Sequence, residues 1–232
     1  MQRHIAIVED EAAIRNNYED ALKRYGYHVS GYGQLQAARE AFARRLPDLV
    51  IIDVGLGDDV EGGFELCREL RVMSRGLPII FLTARDSDFD VISGLRLGAD
   101  DYLTKDISLQ QIVARVVALF RRVEALSGGK TDDKVLERGD LKFSVERMQV
   151  SWKDQPVALT VTEFWIIHSL IRHPGHVRTR SQLMDDANVL VDDQTITSHI
   201  KRIRRKFVAA DPQFDQLDTV YGAGYRWKPA QA

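Results

Sequence analysis

A single cysteine, Cys67, occurs among the 232 residues. That scarcity excludes an intramolecular disulfide and fits a reducing compartment. No apolar run comes near the roughly 18 residues that a membrane span requires, and the N-terminal apolar run meets Glu9 too early for a signal peptide. A cytoplasmic protein with no membrane partner is expected. Charge of one sign is missing in bulk, the formal net charge being -2. Residues 1–122 carry 16 Lys and Arg against 19 Asp and Glu, a net of -3, and residues 123–232 carry 16 against 15, a net of +1. Neither half is a polycation, so any grip on phosphate must come from local clustering. Internal repeats are absent too. With 44% hydrophobic and 28% charged residues the composition is globular, and the length accommodates two ordinary domains with a core each.

The first half alternates strand-like apolar runs with helical periodicity, the pattern of βα units around a parallel sheet. Strands are expected near residues 4–8, 28–32, 48–53, 78–83 and 100–104, alternating with five helices in a doubly wound α/β fold. Ile14, Tyr18, Ala21, Leu22 and Tyr25 recur at helical spacing after the first strand. Leu109, Ile112, Val113, Val116, Val117 and Phe120 do so after the last, where Ser108 and Gln111 form a capping box. From Leu126 to Asp133 the periodicity stops among small and charged residues. Residues 123–136 are therefore read as a linker between a domain at 1–122 and another at 137–232.

The second domain reads as α+β. Short strands at Leu141 to Phe143, Gln149 to Trp152 and Val157 to Leu159 precede a helix that begins with the Thr160 and Glu163 capping box and closes at His173-Pro174-Gly175. Thr179 with Gln182 starts a second, short helix. A third carries Ile196, Ile200, Ile203 and Phe207 on one stripe and Thr197, Lys201, Arg204 and Arg205 opposite. Thr219 to Trp227 reads as two strands about a Gly-rich turn. Helices followed by a hairpin wing describe a winged helix-turn-helix.

Glu9-Asp10, Asp53, Thr83 and Lys105 each stand where an apolar run ends, and in open α/β sheets ligands bind outside the carboxyl ends of the strands. Singly, each has an ordinary explanation: an acidic helix start, a turn residue, a β former, a solvated lysine. Their joint placement at one edge favours a shared site. A carboxylate can attack phosphorus if a divalent cation suppresses repulsion between the anions. Glu9, Asp10 and Asp53 supply charge for Mg²⁺, a hard cation that takes oxygen ligands and retains waters. Lys105 would neutralise phosphoryl oxygens, and Thr83 would donate a hydrogen bond to one.

Residues 1–122 resemble the receiver domain of two-component response regulators, a flavodoxin-like five-stranded fold. The resemblance lies in Val8-Glu9-Asp10-Glu11, Asp48 through Asp53, Leu82-Thr83-Ala84 and Gly98 through Lys105. It implies that Asp53 accepts a phosphoryl group from a sensor histidine kinase, and that Glu9, Asp10, Asp53 and the Gly55 carbonyl hold Mg²⁺. It also implies that Tyr102 is a switch aromatic that moves inward when Thr83 turns to the phosphate. Two departures touch the site. Asp106 follows Lys105 where receivers usually have proline, so a trans or a strained peptide is expected there. The segment Val54 to Gly63 lacks the usual proline and is longer than the family's loop by about two residues.

Five cations fall within six residues of the third helix of the second domain: Lys201, Arg202, Arg204, Arg205 and Lys206. The major groove of DNA admits one such helix. Residues 137–229 resemble the winged-helix output domain of OmpR/PhoB-type regulators in Leu159 through Phe164, His173-Pro174-Gly175, Ser181-Gln182-Leu183, Thr195 through Phe207 and Gly222 through Arg226. By that resemblance Thr197, Ser198, Arg202 and Arg204 face bases, Gln194, Thr195, Lys201 and Arg205 meet phosphates, and the wing with Tyr221 and Tyr225 enters the minor groove of double-stranded DNA. Tyr221 replaces a common arginine. Asn188 lies near a usual tryptophan in a loop that touches RNA polymerase in some relatives. Regulators of this type dimerise through the last strand of the receiver and its flanking helices, where Arg96, Asp100, Asp101, Arg115, Arg121 and Arg122 stand.

The expected function is a phosphorylation-controlled transcriptional regulator working as a homodimer. The alternative is a phosphorylation-independent regulator whose receiver only dimerises. An enzyme of the haloacid-dehalogenase phosphatase type would need a second aspartate two residues after the nucleophile. Gly55 stands there, so catalysis beyond self-dephosphorylation is not expected.

Overall fold

The computed structural model describes residues 2–57, 61–84, 97–127, 135–145, 147–186 and 193–229, with only the backbone of Arg122, residues 125–127, Asp193 and Gln194. Contacts divide the chain into two compact units, Met1–Val117 and Ala118–Ala232.

The first unit is built on a parallel sheet. Its strands are β1 (His4–Val8), β2 (His28–Tyr32), β3 (Leu49–Ile52), β4 (Ile79–Thr83) and β5 (Asp101–Thr104), in the order β2-β1-β3-β4-β5. This is the doubly wound order expected, with the direction in which strands are added reversing at β1, so that the switch point lies between β1 and β3. The β3 and β4 strands are buried throughout, as parallel strands covered on both faces must be, whereas edge strand β2 buries only Val29. Helices α1 (Ala12–Arg24), α2 (Leu35–Arg44) and α3 (Gly62–Met73) belong to this unit, and α4 (Leu109–Ser127) begins in it. A helix expected between β4 and β5 falls largely on residues 85–96, outside the described residues. The expected Ser108 and Gln111 box is present: Ser108 N donates to Gln111 Oε1 at 3.0 Å and Gln111 N to Ser108 Oγ at 3.2 Å.

Register decides what meets at the sheet's carboxyl edge. Val8 pairs with Ile52, so Glu9 follows beside Asp53, and Thr83 pairs with Thr104, so Lys105 comes next. Backbone bonds from Asp53 N to Val8 O at 2.9 Å and from Lys105 N to Thr83 O at 2.8 Å continue the ladder past the strand ends.

The second unit has an antiparallel sheet of β6 (Val135–Arg138), β7 (Leu141–Ser144), β8 (Gln149–Trp152) and β9 (Gln155–Pro156). Helices α5 (Val161–Arg172), α6 (Arg180–Asp186) and α7 (Asp193–Ala210) follow, then a hairpin of β10 (Leu217–Val220) and β11 (Gly224–Trp227). One expected strand is corrected. Its ladder pairing is at Gln155–Pro156 and ends with Val157 N donating to Val150 O at 2.8 Å, so Val157–Leu159 is not strand. Pro156 has no donor to extend the ladder, and Thr160 already caps α5. The edge strand β6 lies partly in the segment read as linker. Trp152, Phe207, Phe214 and Trp227 interlock at the centre, with ring centroids 4.5–6.2 Å apart.

Candidate functional sites

The acidic residues converge. Lys105 Nζ lies 2.7 Å from Asp53 Oδ2 and 2.7 Å from Glu9 Oε2. Carboxylate oxygens of Glu9, Asp10 and Asp53 all lie within 4.8 Å of one another. Glu9 and Asp53 are buried and Asp10 is exposed, so the group runs from the interior to the surface. Burial pushes the Glu9 carboxyl above its usual range, and nearby Asp53 adds to this, against the bond from Lys105. Burial opposes the charge on Lys105 as well, but its bonds to Asp53 and Glu9 prevail and raise its pKa. Three carboxylates and one ammonium leave an excess of negative charge in a confined place, which suits a divalent cation.

The local backbone is fitted to this arrangement. A Cβ on Gly63 would lie 2.0 Å from the Asp53 carbonyl oxygen, so only glycine lets α3 start against the strand end. Gly57, with φ of +63°, donates its N–H to Asp10 Oδ2 at 3.0 Å. Gly55 is partly exposed beside the acids, and a Cβ there would meet nothing within 4 Å. Thr83 is buried at the end of β4. Tyr102 is already turned inward, 8% exposed, with its ring 6.0 Å from that of Phe81. The Lys105–Asp106 peptide is trans. The Thr104 hydroxyl bonds to the Asp106 carboxylate, holding the turn where proline is usual.

The expected dimer charges are corrected in part. Asp100 is fully buried, accepting from Arg71 Nη2 at 2.8 Å and from Ile79 N at 3.1 Å, so it is an internal anchor and not a surface charge. Asp101 is buried and pairs with Arg115 of its own chain at 3.2 Å. Arg121 is exposed. Arg96 and the Arg122 side chain lie outside the described residues.

On α7 the apolar stripe is as expected: Ile196, Ile200, Ile203 and Phe207 are at most 1% exposed. Thr197, Ser198, Lys201, Arg204 and Arg205 lie on the outer side with full or partial exposure. Arg202 does not. It is 3% exposed and bonds to Glu163, while Lys206 Nζ lies 2.5 Å from the other oxygen of that carboxylate. Arg202 is therefore withdrawn from the face where base contact was expected, because Glu163, fully buried at the start of α5, must be neutralised. Burial alone would raise the Glu163 carboxyl, but Arg202 and Lys206 outweigh it and hold it at about 2. Thr195 is buried as well. Arg204 turns to the hairpin, donating to Leu217 O at 2.9 Å and Thr219 Oγ1 at 2.7 Å. Tyr221 stands 94% exposed at the wing tip. Tyr225 is buried with its hydroxyl 3.2 Å from Thr197 Oγ1 and Arg180 over its ring. The Gln194 side chain and Asn188 lie outside the described residues.

Sequence patterns missed two features. Glu163 was explained by its capping box alone, although its place between Thr162 and Phe164 in an apolar run signals burial. Nothing in the sequence pattern singles out Arg15. Its Nη1 donates to the carbonyls of Glu9 at 2.6 Å and Asp10 at 3.2 Å.

A doubly wound sheet with acids and a lysine at its carboxyl edge, joined to a winged helix, defines a receiver with a DNA-binding output domain. Residues 5–117 match the family described as response regulator receiver domain, and residues 154–227 that described as transcriptional regulatory protein, C terminal. The chain is 38% identical over 230 residues to the transcriptional regulatory protein CreB of Escherichia coli (strain K12), covering 97% of this chain and 98% of that protein. It is 36% identical over 225 residues to the sensory transduction protein RegX3 of Mycolicibacterium smegmatis, covering 96% and 97%. Among solved structures, the response regulator DrrB of Thermotoga maritima, described as an OmpR/PhoB homolog, is 28% identical with a TM-score of 0.51, covering 98% of this chain and 100% of that one. The chain belongs to the OmpR/PhoB family of two-component response regulators and is a phosphorylation-controlled transcription regulator. Receivers bind Mg²⁺ through acidic residues, and here Glu9, Asp10 and Asp53 form that cluster. Among the described residues no helix is long and apolar enough to cross a membrane.

Proposed function

We propose that Asp53 is the phosphoacceptor and that its modification controls promoter binding by a dimer. The observation that carries this reading is the bridge from Lys105 Nζ to Asp53 and Glu9, 2.7 Å to each, at the carboxyl edge of the sheet. A carboxylate oxygen of Asp53 attacks phosphorus of a kinase phosphohistidine. The P–O bond forms as the P–N bond breaks, and the imidazole leaves with the electron pair. Bound Mg²⁺ would offset the negative charge gathered between the carboxylates and the transferring group. Glu9, Asp10, Asp53 and the Gly55 carbonyl would hold it. Lys105 exchanges one carboxylate partner for a phosphoryl oxygen, and Thr83 donates to another. Tyr102 packs against the space that Thr83 vacates.

In this reading the protein is a regulator without substrate turnover, and the exposed Arg121 belongs to the surface that pairs with a second copy. The outer side of α7 enters the major groove, with Thr197 and Ser198 toward bases and Lys201 and Arg205 toward phosphates. Arg204 braces the hairpin, and Tyr221 at its tip approaches the minor groove. Incubation with acetyl phosphate and Mg²⁺ followed by intact-mass measurement tests the acceptor. The wild type gains one phosphoryl group and Asp53→Ala none. Equal gain by both, or gain by neither, contradicts the assignment.

A further inference from the structure

We propose that Arg15 is a positioning residue for the metal, one that works on the backbone of the acidic pair and not through its charge. The inference rests on the reading that Glu9, Asp10 and Asp53 hold a divalent cation. Arg15 lies in the first turns of α1, and its Nη1 donates to the Glu9 carbonyl at 2.6 Å and to the Asp10 carbonyl at 3.2 Å. One nitrogen thus ties the two carbonyls of the turn that leaves β1, and the rotation of that turn sets where both carboxylates point. The same turn is held by Glu11 N donating to Glu9 Oε1 at 3.2 Å and by Glu9 N donating to Tyr32 O at 3.0 Å.

The neighbouring strand is shaped for the arginine. A Cβ on Gly31 would meet Arg15 Cδ at 3.0 Å and Glu19 Oε1 at 1.8 Å, and one on Gly33 would meet Arg15 Nη1 at 3.1 Å. Side chains at those two positions would push the guanidinium off the carbonyls. The acids themselves are balanced by another cation, since Lys105 is the group that bonds the Glu9 and Asp53 carboxylates.

Clamp and charge predict opposite signs. A positive charge close to a cation site weakens cation binding, so removing it should tighten the site if charge were its role. If Arg15 holds the turn, removing it lets the Asp10 carboxylate wander and weakens the site. Mn²⁺ serves as the probe, titrated into the full chain and read by the electron paramagnetic resonance of the free ion, with thermal melting of the metal-free protein alongside. Arg15→Ala is expected to bind Mn²⁺ about tenfold more weakly than wild type, which corresponds to about 1.4 kcal/mol. Arg15→Gln keeps an amide donor and drops the charge, and is expected to fall between the two. Affinity of Arg15→Ala equal to or tighter than wild type overturns the proposal. Should Arg15→Ala not fold, Arg15→Gln carries the test: weaker binding than wild type supports the clamp, and equal or tighter binding overturns it. Wild type that binds no Mn²⁺, or binds it equally well as Asp53→Ala, defeats the metal reading itself.

Discussion

At the scale of the residue, the site depends on a few atoms that nothing else can replace. Gly63 is one. Its missing Cβ is what allows the start of α3 to lie against the Asp53 carbonyl, only 2.0 Å from where that carbon would be, with Val54 Cα at 2.8 Å. Gly63→Ala must therefore push the strand end or the helix, and backbone atoms do not yield easily. We expect it to destabilise the receiver by about 1–3 kcal/mol, the range for overpacked sites, measured by urea denaturation. Gly55→Ala, where the added carbon meets nothing within 4 Å, should change stability little. If the two variants are equally stable, the close approach is not a constraint.

At the scale of the element, α7 divides its cations between the outer face, the Glu163 carboxylate and, through Arg204, the hairpin. Lys201 and Arg205 are exposed, whereas Arg202 and Lys206 serve the Glu163 carboxylate. Lys201→Ala should weaken binding to all duplexes alike and reduce the slope of log affinity against log salt by about 1, with thermal stability unchanged. Arg202→Ala should instead leave a buried carboxylate short of its partner and lower domain stability by about 3–5 kcal/mol. Salt titrations of DNA binding and urea melts separate the two, and a stable Arg202→Ala with a reduced salt slope would return that residue to the DNA face. The division marks where reading the sequence stops. The stripe of Ile196, Ile200, Ile203 and Phe207 was legible because apolar residues at helical spacing must be buried, and the capping boxes were legible because a helix start leaves N–H groups to satisfy. Arg202 was not, since its direction is set by a carboxylate 39 residues away. The burial of Asp100 against Arg71 escaped for the same reason: both are charged residues whose partner is distant in sequence. The acid site was legible because each member stands at a strand end, and strand ends are visible as breaks in apolar runs. The Arg15 bond to the carbonyls carries no such signature.

At the scale of the molecule, the titrations of buried Glu163 and half-buried His168 bear on the output domain. Glu163 is held at about 2 against an ordinary 4.5, so the stability it contributes is present above 4.5 and is lost as pH falls through about 2. His168 is held down to about 4 from 6.5, chiefly by burial and then by Arg172, so the neutral ring is favoured in the folded state. Its contribution is complete above 6.5 and is lost as pH falls toward 4. Both signs agree: unfolding free energy should fall with pH from about 6.5 downward. Intrinsic tryptophan fluorescence follows it, because all three tryptophans, Trp152, Trp165 and Trp227, lie in the output half. Stability that rises over that range would contradict the placement of Glu163 in the core and of His168 half-buried beside Arg172.

The receiver and the output domain matter to each other only through a difference in interaction energy between the phosphorylated and free states. DNA affinity at one fixed salt concentration, measured with and without acetyl phosphate for wild type and Asp53→Ala, tests that coupling directly. Wild type should tighten by about 5- to 150-fold, the usual range of coupling between sites, and Asp53→Ala should not respond. Equal affinity in all four conditions would mean that the acid site does not govern DNA binding.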